Sequence, residues 1–71
     1  MLSIIKYDSK WKVKRRGKDR ALKVFKGRQE AINFANELAI QTKVNLYVHN
    51  FDGTVDFVLY YDPTNIKAGL N

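Results

Sequence analysis

Apolar and polar positions alternate along most of this chain, and the alternation gives way once to a helical spacing. Leu2 to Tyr7 opens with an apolar core at Ile4-Ile5, and Asp8-Ser9-Lys10 supplies turn residues. From Lys10 to Arg16 the pattern is strict. Trp11, Val13 and Arg15 share one face, and Lys12, Lys14 and Arg16 share the other. That is the pattern of a half-buried antiparallel strand with Trp11 and Val13 inward and the basic residues outward. Gly17-Lys18-Asp19 forms a hairpin loop, with Gly17 free to take positive φ. A third strand follows over Arg20–Lys26. Leu22 and Val24 share one of its faces, while Ala21, Lys23 and Phe25 share the other. The expectation is Leu22 and Val24 inward, with a bulge or an edge position leaving Phe25 to cover the end of the helix.

The helical stretch runs from Arg28 to Lys43. Gly27 stands at its N-cap, and Glu30 lies in the first turn, where a carboxylate suits the positive end of the dipole. Ala31, Phe34, Ala35, Leu38 and Ala39 form its apolar stripe, with Ile32 at the margin. The alanines allow close approach to a sheet. Asn33, Asn36, Glu37, Ile40 and Gln41 point away. Alternation returns over Asn45–Asn50, with Leu46 and Val48 against Tyr47 and His49. Phe51-Asp52-Gly53 is a hairpin turn. Thr54 to Tyr60 or Tyr61 completes a last strand, in which Val55, Phe57 and Leu59 oppose Asp56, Val58 and Tyr60. Pro63 stops it, since proline donates nothing to a ladder. These elements predict an α+β fold in the order β-β-β-α-β-β, a single helix packed on one face of a small antiparallel sheet. The other sheet face has no second helix to cover it. Residues 1–62 make one domain, and 63–71 are expected as a loose C-terminal tail.

Charge changes this picture by singling out one hairpin. The net charge is +6, yet residues 10–28 hold ten basic residues against Asp19 alone, a sum of +9. Residues 44–71 hold Asp52, Asp56 and Asp62 against Lys67, a sum of −2. A one-sided field steers anionic partners, although the same charges also make an ordinary solvated face. There are no cysteines, which removes disulfides and thiol chemistry and fits a cytoplasmic setting. No apolar run approaches the roughly 20 residues of a membrane helix, and the first residues are too short and polar for a secretory signal. No membrane role is expected.

At residue level the sequence also resembles a known family. WKVKRRGKDRA follows the pattern W-x-V-x-x-x-G-x-x-R-A that opens the small bacterial family called domain of unknown function 2188. Glu30-Ala31, Ala35 and Leu38-Ala39 resemble its helix, His49-x-x-Asp52-Gly53 its closing hairpin, and Tyr61-Asp62-Pro63 with Lys67 its tail. The similar stretch spans about residues 11–67. Gly27 departs from it, since the family tends to place threonine at the helix cap, and Val58 and Leu59 stand where the family is more polar. The resemblance implies a small α+β fold and no particular activity.

The chemistry points to binding rather than catalysis. No phosphate loop, metalloprotease motif or nucleophile elbow is present. His49 and Asp52 are close enough in sequence for a general base and its orienter, but no nucleophile or oxyanion donor accompanies them, and the simpler expectation is that His49 fixes the Asp52-Gly53 turn or lies on the exposed sheet face. No catalytic residue, metal site or cofactor is therefore assigned. The binding residues proposed from the sequence are Lys12, Lys14, Arg16, Lys18, Arg20, Lys23, Tyr47 and His49. The cations form a basic ribbon suited to nucleic-acid phosphates with little sequence preference, and Tyr47 and His49 offer stacking surfaces. The alternative is a protein-partner module, an adaptor or a phage-encoded inhibitor of a host protein, gripping an acidic protein surface with Tyr47, Tyr60, Tyr61 and the arginines. Unpaired sheet edges leave both a monomer and an edge-paired homodimer open.

Overall fold

The computed structural model describes residues 1–64. The expected tail beyond residue 64 lies outside the described residues. The elements are β1 (Leu2–Tyr7), β2 (Lys10–Arg15), β3 (Ala21–Phe25), α1 (Arg28–Thr42), β4 (Leu46–His49) and β5 (Val55–Leu59). They follow the expected order, each strand ending within two residues of its predicted bounds, and the fold is α+β. The five strands lie side by side in the order β3-β2-β1-β4-β5.

The sheet is mixed rather than antiparallel. β1–β2, β2–β3 and β4–β5 are antiparallel, but β1 and β4 pair in parallel through Leu2–Leu46, Ser3–Tyr47 and Ile4–Val48. Two hairpin steps make β3 parallel to β1, and α1 carries the chain back so that β4 runs the same way again. Parallel neighbours need such a crossover. The sequence of β1 suits its central place, because Leu2, Ser3 and Ile4 are buried in succession and Ile5 is half-buried.

One side of the sheet receives the helix. Leu2, Ile4, Trp11, Val13, Leu46 and Val48 meet Ala31, Ala35 and Ala39 in a buried core. The alanines recur every four residues, so the helix backbone comes close to the sheet, and Phe34, Leu38 and Ile32 close its flanks. Trp11 is only 4% exposed, with Phe51 edge-on to its ring at 5.1 Å. The helix packs across β1 to β4 and stops short of β5. Val55 and Phe57 therefore stay exposed, although Phe57 pairs with buried Val48.

The third strand presents the opposite face from the expected one. Leu22 and Val24 are 41% and 48% exposed, whereas Phe25 packs on the core with its ring 5.4 Å from Phe34. Register decides this, because Trp11 pairs with Phe25 and Val13 with Lys23, and paired residues share a face. Phe25 buries more apolar area than either aliphatic residue. Lys23 tolerates the inward face because β3 is an edge: its ammonium sits 5.4 Å from the Phe25 centroid and 5.2 Å from that of Phe34. β3 is an edge strand, as one of the two expected alternatives has it, while the register shift between Val13 and Lys14 falls at Leu22 and does not set the orientation of Phe25.

Two further details differ from the expectation. Asn36 is half-buried rather than solvent-facing, and its Oδ1 accepts the hydroxyl proton of Tyr61. Tyr61 itself packs against the core and is not a free anchor. The helix ends at Thr42, and Lys43 takes a left-handed conformation (φ 55°) that lets its N–H and that of Val44 reach the carbonyls of Ile40 and Ala39.

Candidate nucleic-acid interface

The face of the sheet away from α1 is uncovered among the described residues. Strand alternation and register set what it displays. β1 turns Ser3, Ile5 and Tyr7 to this side, Ser3 being buried beneath its neighbours; β2 presents Lys12 and Lys14, facing Ile5 and Ser3; β4 presents Tyr47, facing Ser3 on its other side. On β3, Val24 pairs with Lys12 and Ala21 with Lys14, Leu22 being the unpaired residue at the register shift, and Val58 of β5 borders Tyr47. Cations and rings are thereby interleaved. Lys12 Nζ lies 4.5 Å from the centroid of Tyr7, and the Arg16 guanidinium lies 4.7 Å from that of Tyr47, reaching across β1 to do so.

The expected site residues divide into four groups. Lys12, Lys14, Arg16 and Tyr47 come together on this open face. Lys18 and Arg20 lie at the end of the β2–β3 hairpin, where with Arg15 they surround a recess of about 330 Å³ floored by Ala21 and Leu22. Gly17 (φ 83°) makes that turn possible. Lys23 leaves the set, since it lies on the helix side over Phe25 and Phe34. His49 is half-buried, and its Nδ1 donates to the Ile4 carbonyl at 3.0 Å, so one edge of its ring is occupied within the sheet.

The His49–Asp52 pairing considered from the sequence is not formed. Asp52 instead accepts from the Thr54 hydroxyl at 2.6 Å and the Thr54 N–H at 3.0 Å, closing the β4–β5 turn. These bonds, the hydroxyl one foremost, hold the Asp52 carboxyl below its ordinary value. Arg28, the last cation of the basic stretch, turns the other way. Its Nη2 reaches Asp56 at 2.6 Å and the His49 carbonyl at 3.3 Å, and its guanidinium lies 5.5 Å from the Trp11 ring. Asp56 from the acidic half of the chain thus neutralises the helix end of the basic half, and among the described residues the hairpin cations are in no ion pair with a carboxylate. Among the described residues no three His, Asp or Glu side chains are grouped as metal ligands.

Tyr7 is the member of this face that the residue pattern did not single out. The signal was present, since placing Leu2 and Ile4 inward puts Tyr7 outward with Ile5. Residues 3–58 match the model of a bacterial family described as "Uncharacterized protein conserved in bacteria (DUF2188)". The chain belongs to that family. The DUF2188 match begins in β1 and ends in β5, so it takes in the helix and the open sheet face with Tyr7, Lys12, Lys14, Arg16 and Tyr47. No curated protein and no solved structure matches the chain. Within the DUF2188 chain no described helix is long and apolar enough to cross a membrane.

Proposed function

We propose that this protein is a non-catalytic binding module that contacts nucleic-acid phosphates through its open sheet face, with little sequence preference. One observation carries the reading: Lys12, Lys14 and Arg16 stand together on a sheet face that no helix covers, and none of them is paired with a carboxylate among the described residues. Lys18 and Arg20 extend the positive surface around the hairpin end. Cations fixed on a rigid strand can track a phosphate backbone, and release of condensed counterions supplies most of the affinity. Such contacts position a ligand without reading its sequence. A cytoplasmic setting fits this role.

The test is fluorescence anisotropy with labelled oligonucleotides at two salt concentrations. Affinity falls steeply between about 50 and 200 mM salt, with a slope near −0.9 per phosphate contacted in a duplex. Replacing Lys12, Lys14 and Arg16 by alanine removes most of the binding and flattens the slope. Lys23→Gln leaves both unchanged, because that side chain is on the far side of the sheet. Absence of any anisotropy change at low salt refutes the proposal and turns attention to a protein partner.

A further inference from the structure

We infer that the preferred ligand of this face is a single strand, with unpaired bases stacked on Tyr47 and Tyr7. This rests on the phosphate-binding proposal above and adds what that proposal leaves unused, the apolar surface between the cations. Phosphates need only the lysines and Arg16. They do not explain why Tyr7, Leu22 and Val24 stand exposed among them, with Ile5, Tyr47 and Val58 half-buried in the same surface. Base faces do. A base is a flat apolar surface joined to an anionic backbone, and an open sheet with rings between cations matches both parts. A duplex hides its base faces and would engage only the charges.

The geometry also sets a path. Tyr47 is level with Ser3 on the neighbouring strand, and Tyr7 lies four residues further along β1. At the rise of an extended strand the two rings are roughly 14 Å apart. That is about four base steps of a stacked strand, and fewer of a stretched one. The rings therefore take non-adjacent bases of one short tract running along β1. Lys12 and Lys14 lie beside that tract, on the neighbouring strand. Arg16 already covers the Tyr47 ring, and its planar guanidinium either stacks on the same base or turns to a phosphate.

The experiment compares an oligothymidylate of about 12 nucleotides with a duplex of equal length, a size within the range that single-strand-binding domains cover. Both are titrated by anisotropy with wild-type protein and with Tyr7→Leu and Tyr47→Leu, whose folding is verified by circular dichroism and thermal melting. The expected result is tighter binding of the single strand and a loss of about tenfold for each tyrosine removed, with duplex affinity unchanged. Should Tyr47→Leu fail to fold, exposed Tyr7→Leu carries the test alone. Equal affinity for both oligonucleotides, unmoved by folded tyrosine variants, overturns the stacking and leaves phosphate binding in place. No binding of either oligonucleotide overturns both. Pelleting with anionic vesicles in place of oligonucleotide binding would likewise overturn both and make the cationic–apolar face a lipid-surface contact.

Discussion

Asn45 is the position whose loss should be felt most widely for the least change in volume. It is 2% exposed, and its side-chain oxygen accepts the N–H groups of Tyr61 (3.0 Å) and Asp62 (3.1 Å). Its backbone carbonyl also receives the Leu2 N–H at 2.9 Å. One residue thus ties the start of β1, the start of β4 and the exit of β5. Asn45→Leu keeps the size, preserves the backbone bond and removes the two side-chain bonds. An orphaned buried N–H costs about 1–3 kcal/mol. Both amides here are only half-buried, so water relieves part of the cost and the lower end applies to each, about 2 kcal/mol in total. For a domain of this length that is a fall of about 8–16 °C in Tm. The assay is thermal and urea denaturation, with hydrogen exchange at the Tyr61 and Asp62 amides as the local readout. Asn33→Ala is the control. That side chain is exposed and, among the described residues, bonded to Gln29 alone, so its loss should stay within about 0.5 kcal/mol. An Asn45→Leu variant that melts with wild type, or that keeps the protection of Tyr61 and Asp62, refutes this role of Asn45.

Three other perturbations test separate parts of the structure. Trp11→Ala should cost about 3–5 kcal/mol, since the ring is nearly fully buried; a chain of this size has little more than that to lose, so an unaltered melting curve would overturn its place in the core. Lys43→Gly should raise stability by about 0.5 kcal/mol, because relief of the left-handed backbone (φ 55°) exceeds the added freedom of the unfolded chain; a lower Tm contradicts this. Asp52 should titrate below 3.8 by carbon-detected NMR, and Thr54→Val should move it back up. With the folded value depressed, its contribution is present above the ordinary carboxyl value and is lost as pH falls through the folded one, so the β4–β5 turn loosens only in acid.

Much of this architecture is legible in local pattern. Period-two alternation marks β2 and places Lys12, Lys14 and Arg16 together opposite Trp11 and Val13, because successive side chains on a strand must diverge. The alanine-rich stripe marks α1 and its buried face, and Gly17 and Asp52-Gly53 mark turns that positive φ makes tight. Those features depend on neighbours a few residues away. The remainder depends on which strands meet. Both faces of β3 carry apolar side chains, so alternation alone cannot say which turns inward; pairing of Phe25 with Trp11 decides it and sends Lys23 to the far side. The parallel β1–β4 contact follows from where the helix returns the chain, and it alone brings Tyr47 level with Ser3, one strand from the lysines and on the same face as Tyr7. Asn45 is an ordinary polar residue until the exit of β5 folds over it. By itself the sequence determines the elements and the basic face of one hairpin, since these are set by steric period and charge. Only the tertiary structure makes that face a surface with rings between the cations, because register and strand order join residues that lie far apart along the chain.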